Sequence, residues 1–256
     1  MRRELDRVPS LLDDFRAGRP RALARAITRV ENGTGEELVR ALRAQTGRAL
    51  TVGITGPPGV GKSTLSAALV GRLRAENQRV GVVAVDPSSP FSHGALLGDR
   101  IRHAEHFADR GVFIRSMATR GHLGGLAAAT AEAVQLMDAF GQDVILIETV
   151  GVGQSEIEIA QLATTTVVVL QPGSGDEVQL LKAGIIEIAD VFVVNKADHP
   201  RARNLMREIR AMLATAPARA WTPRVIATQA NEGTGIDELW TAVREHDAFA
   251  RSARGS

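Results

Sequence analysis

The sequence predicts an α/β fold: a mostly parallel central sheet flanked by helices, with a helical N-terminal appendage. Three observations predict it. Seven short apolar runs recur along the chain: LTVGIT (50–55), VGVVAVD (80–86), VFIR (112–115), DVILIE (143–148), TTVVVLQ (165–171), DVFVVN (190–195) and RVIAT (224–228). Several are apolar at consecutive positions, so both faces are buried, as in a parallel sheet. Segments of helical length separate the runs, and such alternation builds parallel sheets through crossover helices.

The elements follow in order. Residues 1–48 form the appendage, with helices expected over Glu4–Arg16, Arg21–Val30 and Glu36–Gln45. Leu23, Ile27 and Val30 share a helical face, as do Leu38, Val39 and Leu42. Gly18-Arg19-Pro20 and Asn32-Gly33-Thr34-Gly35 break the segments apart. Residues 49–246 form the α/β domain, with helices over 62–75, 97–108, 123–140, 155–162, 176–188, 200–214 and 235–246. Residues 247–256 are polar and expected to form a flexible tail.

Composition narrows the function. A chain of 256 residues, 44% hydrophobic, suits one globular domain with an appendage. Its net charge of +2 gives no preference for nucleic acid or an anionic membrane. Without cysteine there is no disulfide, thiolate metal site or cysteine nucleophile. MRRELDRVPS lacks the apolar core of a secretory signal, and no apolar run reaches the roughly 18 residues of a membrane span, so the expected place is the cytoplasm. Only three of the 31 basic residues are lysine: Lys62, Lys182 and Lys196. Arginine is a planar fork and lysine a compact point charge, so each lysine marks a candidate site.

The first lies in Gly56-Pro57-Pro58-Gly59-Val60-Gly61-Lys62-Ser63-Thr64. This matches G-x-x-x-x-G-K-[ST], with a strand before it and a helix after it, and predicts a P-loop NTPase. The glycines let successive N–H groups of Gly59 to Thr64 turn inward as an anion nest, and the helix adds its positive end. Lys62 would reach the β- and γ-phosphates, and the Ser63 hydroxyl would bind Mg2+. The second lysine lies in Asn195-Lys196-Ala197-Asp198, the N-K-x-D guanine reader, at a strand end where open α/β sheets bind ligands. Asp198 can accept hydrogen bonds from guanine N1–H and the N2 amine; adenine offers neither donor. The Lys196 stem would lie along the base while Asn195 braces loops. Ala227-Thr228-Gln229-Ala230 sits where GTPases place a loop whose backbone N–H meets guanine O6, with Gln-Ala in place of the usual Ser-Ala pair.

On the hydrolysis side, Asp86 ends one strand and Glu148 another, each placed to face phosphates and Mg2+. Glu148-Thr149-Val150-Gly151 mirrors D-x-x-G, with the Gly151 N–H as a γ-phosphate sensor. Asp99 is a third acidic candidate, in the intervening switch segment. Many GTPases place a water-orienting Gln after that glycine. Here Val152 stands there and the nearest Gln is Gln154, which predicts slow intrinsic hydrolysis accelerated by a partner. The third lysine, Lys182, follows the Gln171-Pro172-Gly173-Ser174-Gly175-Asp176 loop, either an ordinary connection or a switch. His103 and His106 lack an evident third metal ligand and are expected on a solvated helix face.

These residues together resemble the MeaB/ArgK-type family of P-loop GTPases, the methylmalonic aciduria type A protein-like family. The resemblance rests on GPPGVGKST (56–64), DPSSP (86–90), GHLGGL (121–126), ETVGVGQSE (148–156), QPGSGDEVQLLKAG (171–184) and NKAD (195–198), and spans roughly residues 20–245. It implies a metallochaperone GTPase using GTP/GDP and Mg2+. Such a protein gates adenosylcobalamin delivery to an acyl-CoA mutase, protects that mutase, and works alongside an adenosyltransferase. It implies catalytic roles for Lys62, Asp99 and Glu148, and metal roles for Ser63, Asp86, Asp99 and Glu148. It assigns Asp176, Gln179 and Lys182 to an additional switch that couples nucleotide state to the mutase. Family members continue into a C-terminal dimerisation arm; this sequence stops soon after 235–246, which leaves a homodimer open beside a monomer. Two other readings compete. A P-loop kinase needs an acceptor pocket and a base, and no convincing pair is present. A nickel-insertion GTPase would use His103, His106 or His122, but the chain lacks His- or Cys-rich storage tracts.

Overall fold

The computed structural model describes residues 8–86, 108–118, 123–149, 162–173 and 186–254. Within them lie strands β1 (Leu50–Thr55), β2 (Val80–Asp86), β3 (Val112–Ala118), β4 (Val144–Thr149), β5 (Thr165–Leu170), β6 (Val191–Val194) and β7 (Arg224–Ala227). They form one sheet in the order β3-β2-β4-β1-β5-β6-β7, and every neighbouring pair is parallel. The described helices are α1 (Val8–Arg16), α2 (Pro20–Glu31), α3 (Glu36–Leu42), α4 (Lys62–Ala75), α5 (Leu123–Ala139), α6 (Ala202–Thr215) and α7 (Ile236–Arg254). None of them is long and apolar enough to cross a membrane.

Both faces of the sheet are covered, which is why β4, β5 and β6 are buried along their whole length. On one face Val80, Val82, Val144, Leu146, Val167, Val169, Val191 and Val193 pack with Leu65, Leu69 and Leu73 of α4 and Leu239 and Val243 of α7. On the other, Val168, Leu170, Phe192 and Val194 pack with Leu205 and Ile209 of α6. Val83, Val85, Met117, Ile145 and Ile147 share a further core with α5 and the N-terminal helices, including Leu11, Phe15, Leu23, Ile27 and Leu38.

The appendage is thus seated on the sheet by its own apolar stripes. Phe15 meets Phe140 edge-to-face with centroids 5.0 Å apart. Arg115 of β3 donates to Glu31 and to Thr28 of α2. Where the appendage enters β1, the Asp138 carboxylate at the end of α5 accepts backbone N–H groups from Gly47, Arg48 (3.2 Å) and Ala49 (3.0 Å).

Three boundaries differ from expectation. β3 extends beyond VFIR to Ala118, because it stays paired with β2 up to Asp86. The third N-terminal helix is α-helical to Leu42 and tightens into a 3-10 turn over Arg43–Gln45. The last helix does not end at 246 in a flexible tail but continues to Arg254. His246 and Asp247 are buried, Phe249 packs on Trp221 with centroids 5.4 Å apart, and Arg251 pairs with Asp247 at 2.8 Å. The expected helices 97–108, 155–162 and 176–188 lie almost wholly outside the described residues; Ile186–Ile188 is a short helical turn.

Candidate functional site

All strands being parallel, their carboxyl ends lie along one rim of the sheet. Side-chain alternation then decides what meets there. In β4, Val144 and Leu146 face α4, so Glu148 does too. In β6, Val191 and Val193 face the same way, and so does Asn195, the next residue of that parity. In β7 the corresponding pair is Ile226 and Thr228. Glu148, Asn195 and Thr228 therefore all point toward the loop between β1 and α4, and each is nearly inaccessible to solvent.

That loop needs its glycines. Gly56, Gly59 and Gly61 have φ of 136°, 80° and 95°. At Gly56 a Cβ would lie 2.1 Å from the Val169 carbonyl oxygen, and at Gly61 one would lie 2.5 Å from Asn195 Nδ2. The chain turns over Pro57–Val60, with Val60 buried, and enters α4 at Lys62. Lys62 is buried, and its Nζ donates to the carbonyls of Gly56 (2.6 Å) and Pro57 (2.8 Å). Ser63, in the first turn of α4, donates through Oγ to Glu148 Oε1. A hydroxyl and a carboxylate thus stand together beside a lysine, at a helix N-terminus that favours anions. These are hard oxygen donors, the type that suits Mg2+. Thr149 Oγ1 lies 3.3 Å from Thr55 Oγ1, joining the ends of β1 and β4.

Asn195 holds three partners at once. Its Nδ2 donates to the Val60 carbonyl (2.9 Å), and its Oδ1 accepts from Thr228 Oγ1 (3.0 Å) and the Ala230 N–H (3.2 Å). Lys196 adopts a left-handed φ of 55° and its Nζ donates to the Gly59 carbonyl at 3.2 Å. The Asn195–Asp198 segment is tied to the end of β7 through the Ala197 N–H to the Thr228 carbonyl (3.0 Å). Asp198 is exposed at the rim. Gln229 donates its N–H to Thr234 (3.1 Å). The N–H groups of Gln229 and Ala230 both have acceptors within the protein, so the expected contact to guanine O6 is not preformed. Ala230 and Thr64 open onto a groove of about 630 Å3 between α4 and the start of α7.

The structure therefore brings together Gly59, Val60, Gly61, Lys62, Ser63, Glu148, Asn195, Lys196 and Ala230, with Thr64, Asp198 and Gln229 at the margin. Asp86 ends β2 on the same rim; its side chain, and Asp99, Gly151, Asp176, Gln179 and Lys182, lie outside the described residues. So do His103, His106 and His122. Thr228 and Thr149 lie inside the 227–230 and 148–151 motifs, but neither motif gives their hydroxyls a role; strand parity is the signal for Thr228.

Known proteins resemble this chain in sequence and in fold. A family model described as "Methylmalonyl Co-A mutase-associated GTPase MeaB" matches residues 23–255. A putative GTPase of Pyrococcus abyssi is 50% identical over 254 residues, covering 96% of this chain and 78% of that protein. The mouse protein named methylmalonic aciduria type A homolog, mitochondrial, is 44% identical over 206 residues, covering 78% of this chain and 50% of that one. Among solved structures, one described as an LAO/AO transport system kinase superposes with a TM-score of 0.77 at 30% identity, covering 97% of this chain and 78% of that chain.

Proposed function

The chain belongs to the MeaB family of P-loop GTPases, and from that premise we propose that it binds and hydrolyses GTP to gate adenosylcobalamin loading of an acyl-CoA mutase, which it also protects. The observation that carries the nucleotide half is Asn195. One amide links the phosphate loop at Val60 to the base-reading segment and to Thr228 and Ala230, so both ends of a nucleotide would be held by one network. The mutase half is supported by the family's own description as mutase-associated. The kinase in the name of the similar solved structure belongs to that protein; here the N-K-x-D segment supports guanine.

The residues divide the work. Inward N–H groups of Gly59 to Thr64 hold the phosphates, and Lys62 moves its charge from the loop carbonyls to the β- and γ-oxygens. Asp198 accepts from guanine N1–H and N2. A guanine O6 would share the Ala230 N–H with Asn195. Ser63 and Glu148, with Asp86 and Asp99, would hold Mg2+. Bound there, Mg2+ neutralises charge on the triphosphate. Val152 in place of a water-orienting Gln supports slow hydrolysis that the mutase accelerates, with Asp176, Gln179 and Lys182 in the switch that reads it.

Calorimetric titration with GTP and ATP tests the base assignment. ATP would leave the Asp198 carboxylate without its donors, a loss of about 1–3 kcal/mol. GTP is expected to bind roughly tenfold or more tighter, and Asp198→Asn to shift preference toward xanthine nucleotides. Equal uptake of ATP, or unaltered GTP selectivity in the variant, overturns it. Single-turnover GTP hydrolysis with and without an adenosylcobalamin-dependent mutase tests the partner: brisk turnover alone, or no change on adding the mutase, counts against the chaperone.

A further inference from the structure

Residues 196–224 carry seven basic residues against two acidic ones, a net +5, where the whole chain nets only +2. Three of the seven basic residues lie on α6, with Glu208 its only acidic residue, a net +2. Arg203, Arg207 and Arg210 are all exposed. At 100° per residue they form one stripe, opposite the buried Ala202, Leu205 and Ile209. Some arginines elsewhere are neutralised by carboxylates: Arg40 by Glu36, Arg72 by Glu76, Arg224 by Glu245. Among the described residues the stripe has none. Arg207 reaches only Asn204, and Arg210 lies 3.4 Å from the Val225 carbonyl. Like charges at i,i+4 and i,i+3 destabilise a helix, and one acidic residue at 206 or 214 would have relieved them; Met206 and Ala214 stand there.

We propose that this stripe is a docking surface for an acidic helix of a partner protein. The three guanidinium groups recur about once per turn over roughly 10 Å, the spacing at which a second helix presents carboxylates at i, i+4 and i+7. Guanidinium forks suit carboxylates in bidentate geometry. The stripe itself carries three charges, fewer than the about 4–8 clustered basic residues that mark a lipid-binding surface. No aromatic side chain on the stripe offers a base a stacking platform. α6 starts just after the Asn195–Asp198 segment, so a partner held on the stripe adjoins the base-reading loop without covering the phosphate loop.

The test uses the full chain and a fluorescein-labelled helical peptide bearing glutamates at i, i+4 and i+7, followed by anisotropy. Binding is expected at low salt and is lost about tenfold or more in the triple charge reversal Arg203→Glu/Arg207→Glu/Arg210→Glu. GTP binding should be unchanged in that variant, and the triple lysine replacement, which keeps the charge but loses the fork, should bind the peptide more weakly than the parent chain and more tightly than the reversed one. Arg207→Glu alone, at the centre of the stripe, serves if the triple variant does not fold. A single-stranded oligonucleotide and phosphatidylserine-containing vesicles are run in parallel. Equal peptide binding by the reversed chain, or tighter binding of the oligonucleotide or vesicles than of the peptide, overturns the proposal.

Discussion

At Gly61 two constraints coincide. Its φ of 95° is a left-handed conformation, and a Cβ there would lie 2.5 Å from Asn195 Nδ2. Gly61→Ala therefore strains the backbone by roughly 1–3 kcal/mol and pushes Asn195 away from the Val60 carbonyl. The expected result is a drop in GTP affinity of at least about tenfold, measured by titration, with the variant still folded by circular dichroism; unaltered affinity would show that the Asn195 contact does not organise the site. How much of this was legible varies by residue. Lys62, Ser63 and Asn195 were legible because their motifs encode backbone shape and charge in contiguous residues. Glu148 was legible as the charged end of an apolar strand. Thr228 was not: its hydroxyl acquires meaning only because β7 pairs with β6 in a register that sets it beside Asn195.

The last helix shows the same dependence on distant partners at the level of an element. Its expected end at 246 followed from polar residues, yet His246 lies on the sheet floor. One ring nitrogen is 2.9 Å from Thr165 Oγ1 and the other 3.2 Å from Asp190 Oδ1. Trp221 packs against the ring with centroids 5.0 Å apart and donates to the Asp190 carbonyl at 2.9 Å. Burial lowers the His246 pKa from 6.5, and Asp190 and Asp247 oppose that only in part, while Arg219 adds to it. Burial likewise raises the Asp190 carboxyl above its ordinary value. The signs are opposite in different windows. The unfolded chain protonates His246 first, so the stability that the neutral ring provides is complete above about pH 6.5 and is lost as pH falls through the lower folded value. For Asp190 the contribution is complete below about 3.8 and is lost as pH rises through its raised folded value. Urea midpoints should therefore fall between about pH 7 and the folded pKa of the imidazole. His246→Gln should flatten that part of the profile relative to the parent chain; an unchanged slope would assign the titration elsewhere.

For the whole molecule, the question is whether the N-terminal helices are an addition or part of the core. The apolar runs from 50 to 228 were enough to name the sheet, because fully buried strands need no partner information to be recognised. The seat of residues 1–48 was not legible, since each of those helices shows only its own stripe and not the surface it covers. In the structure Leu11, Phe15, Leu23 and Ile27 share one core with Val83, Val85, Ile145 and Ile147 of the central strands. Asp138 and the Arg115–Glu31 pair fasten the two parts at separate points. Without these helices that face of β2 and β4 would keep α5 and lose the rest of its cover. The helices therefore stabilise the strands that carry Asp86 and Glu148 to the rim where nucleotide would sit. Phe15→Ala separates this view from that of a detachable appendage. Phe15 is 3% exposed and packs on Phe140, so truncation should destabilise the whole chain by about 3–5 kcal/mol. If the helices and the sheet form one cooperative unit, the loss appears as a single shifted urea transition that far-ultraviolet dichroism and tryptophan fluorescence report together. If the appendage unfolds independently, dichroism shows an early partial transition while the fluorescence of Trp221 and Trp240, both outside the appendage, keeps the midpoint of the parent chain.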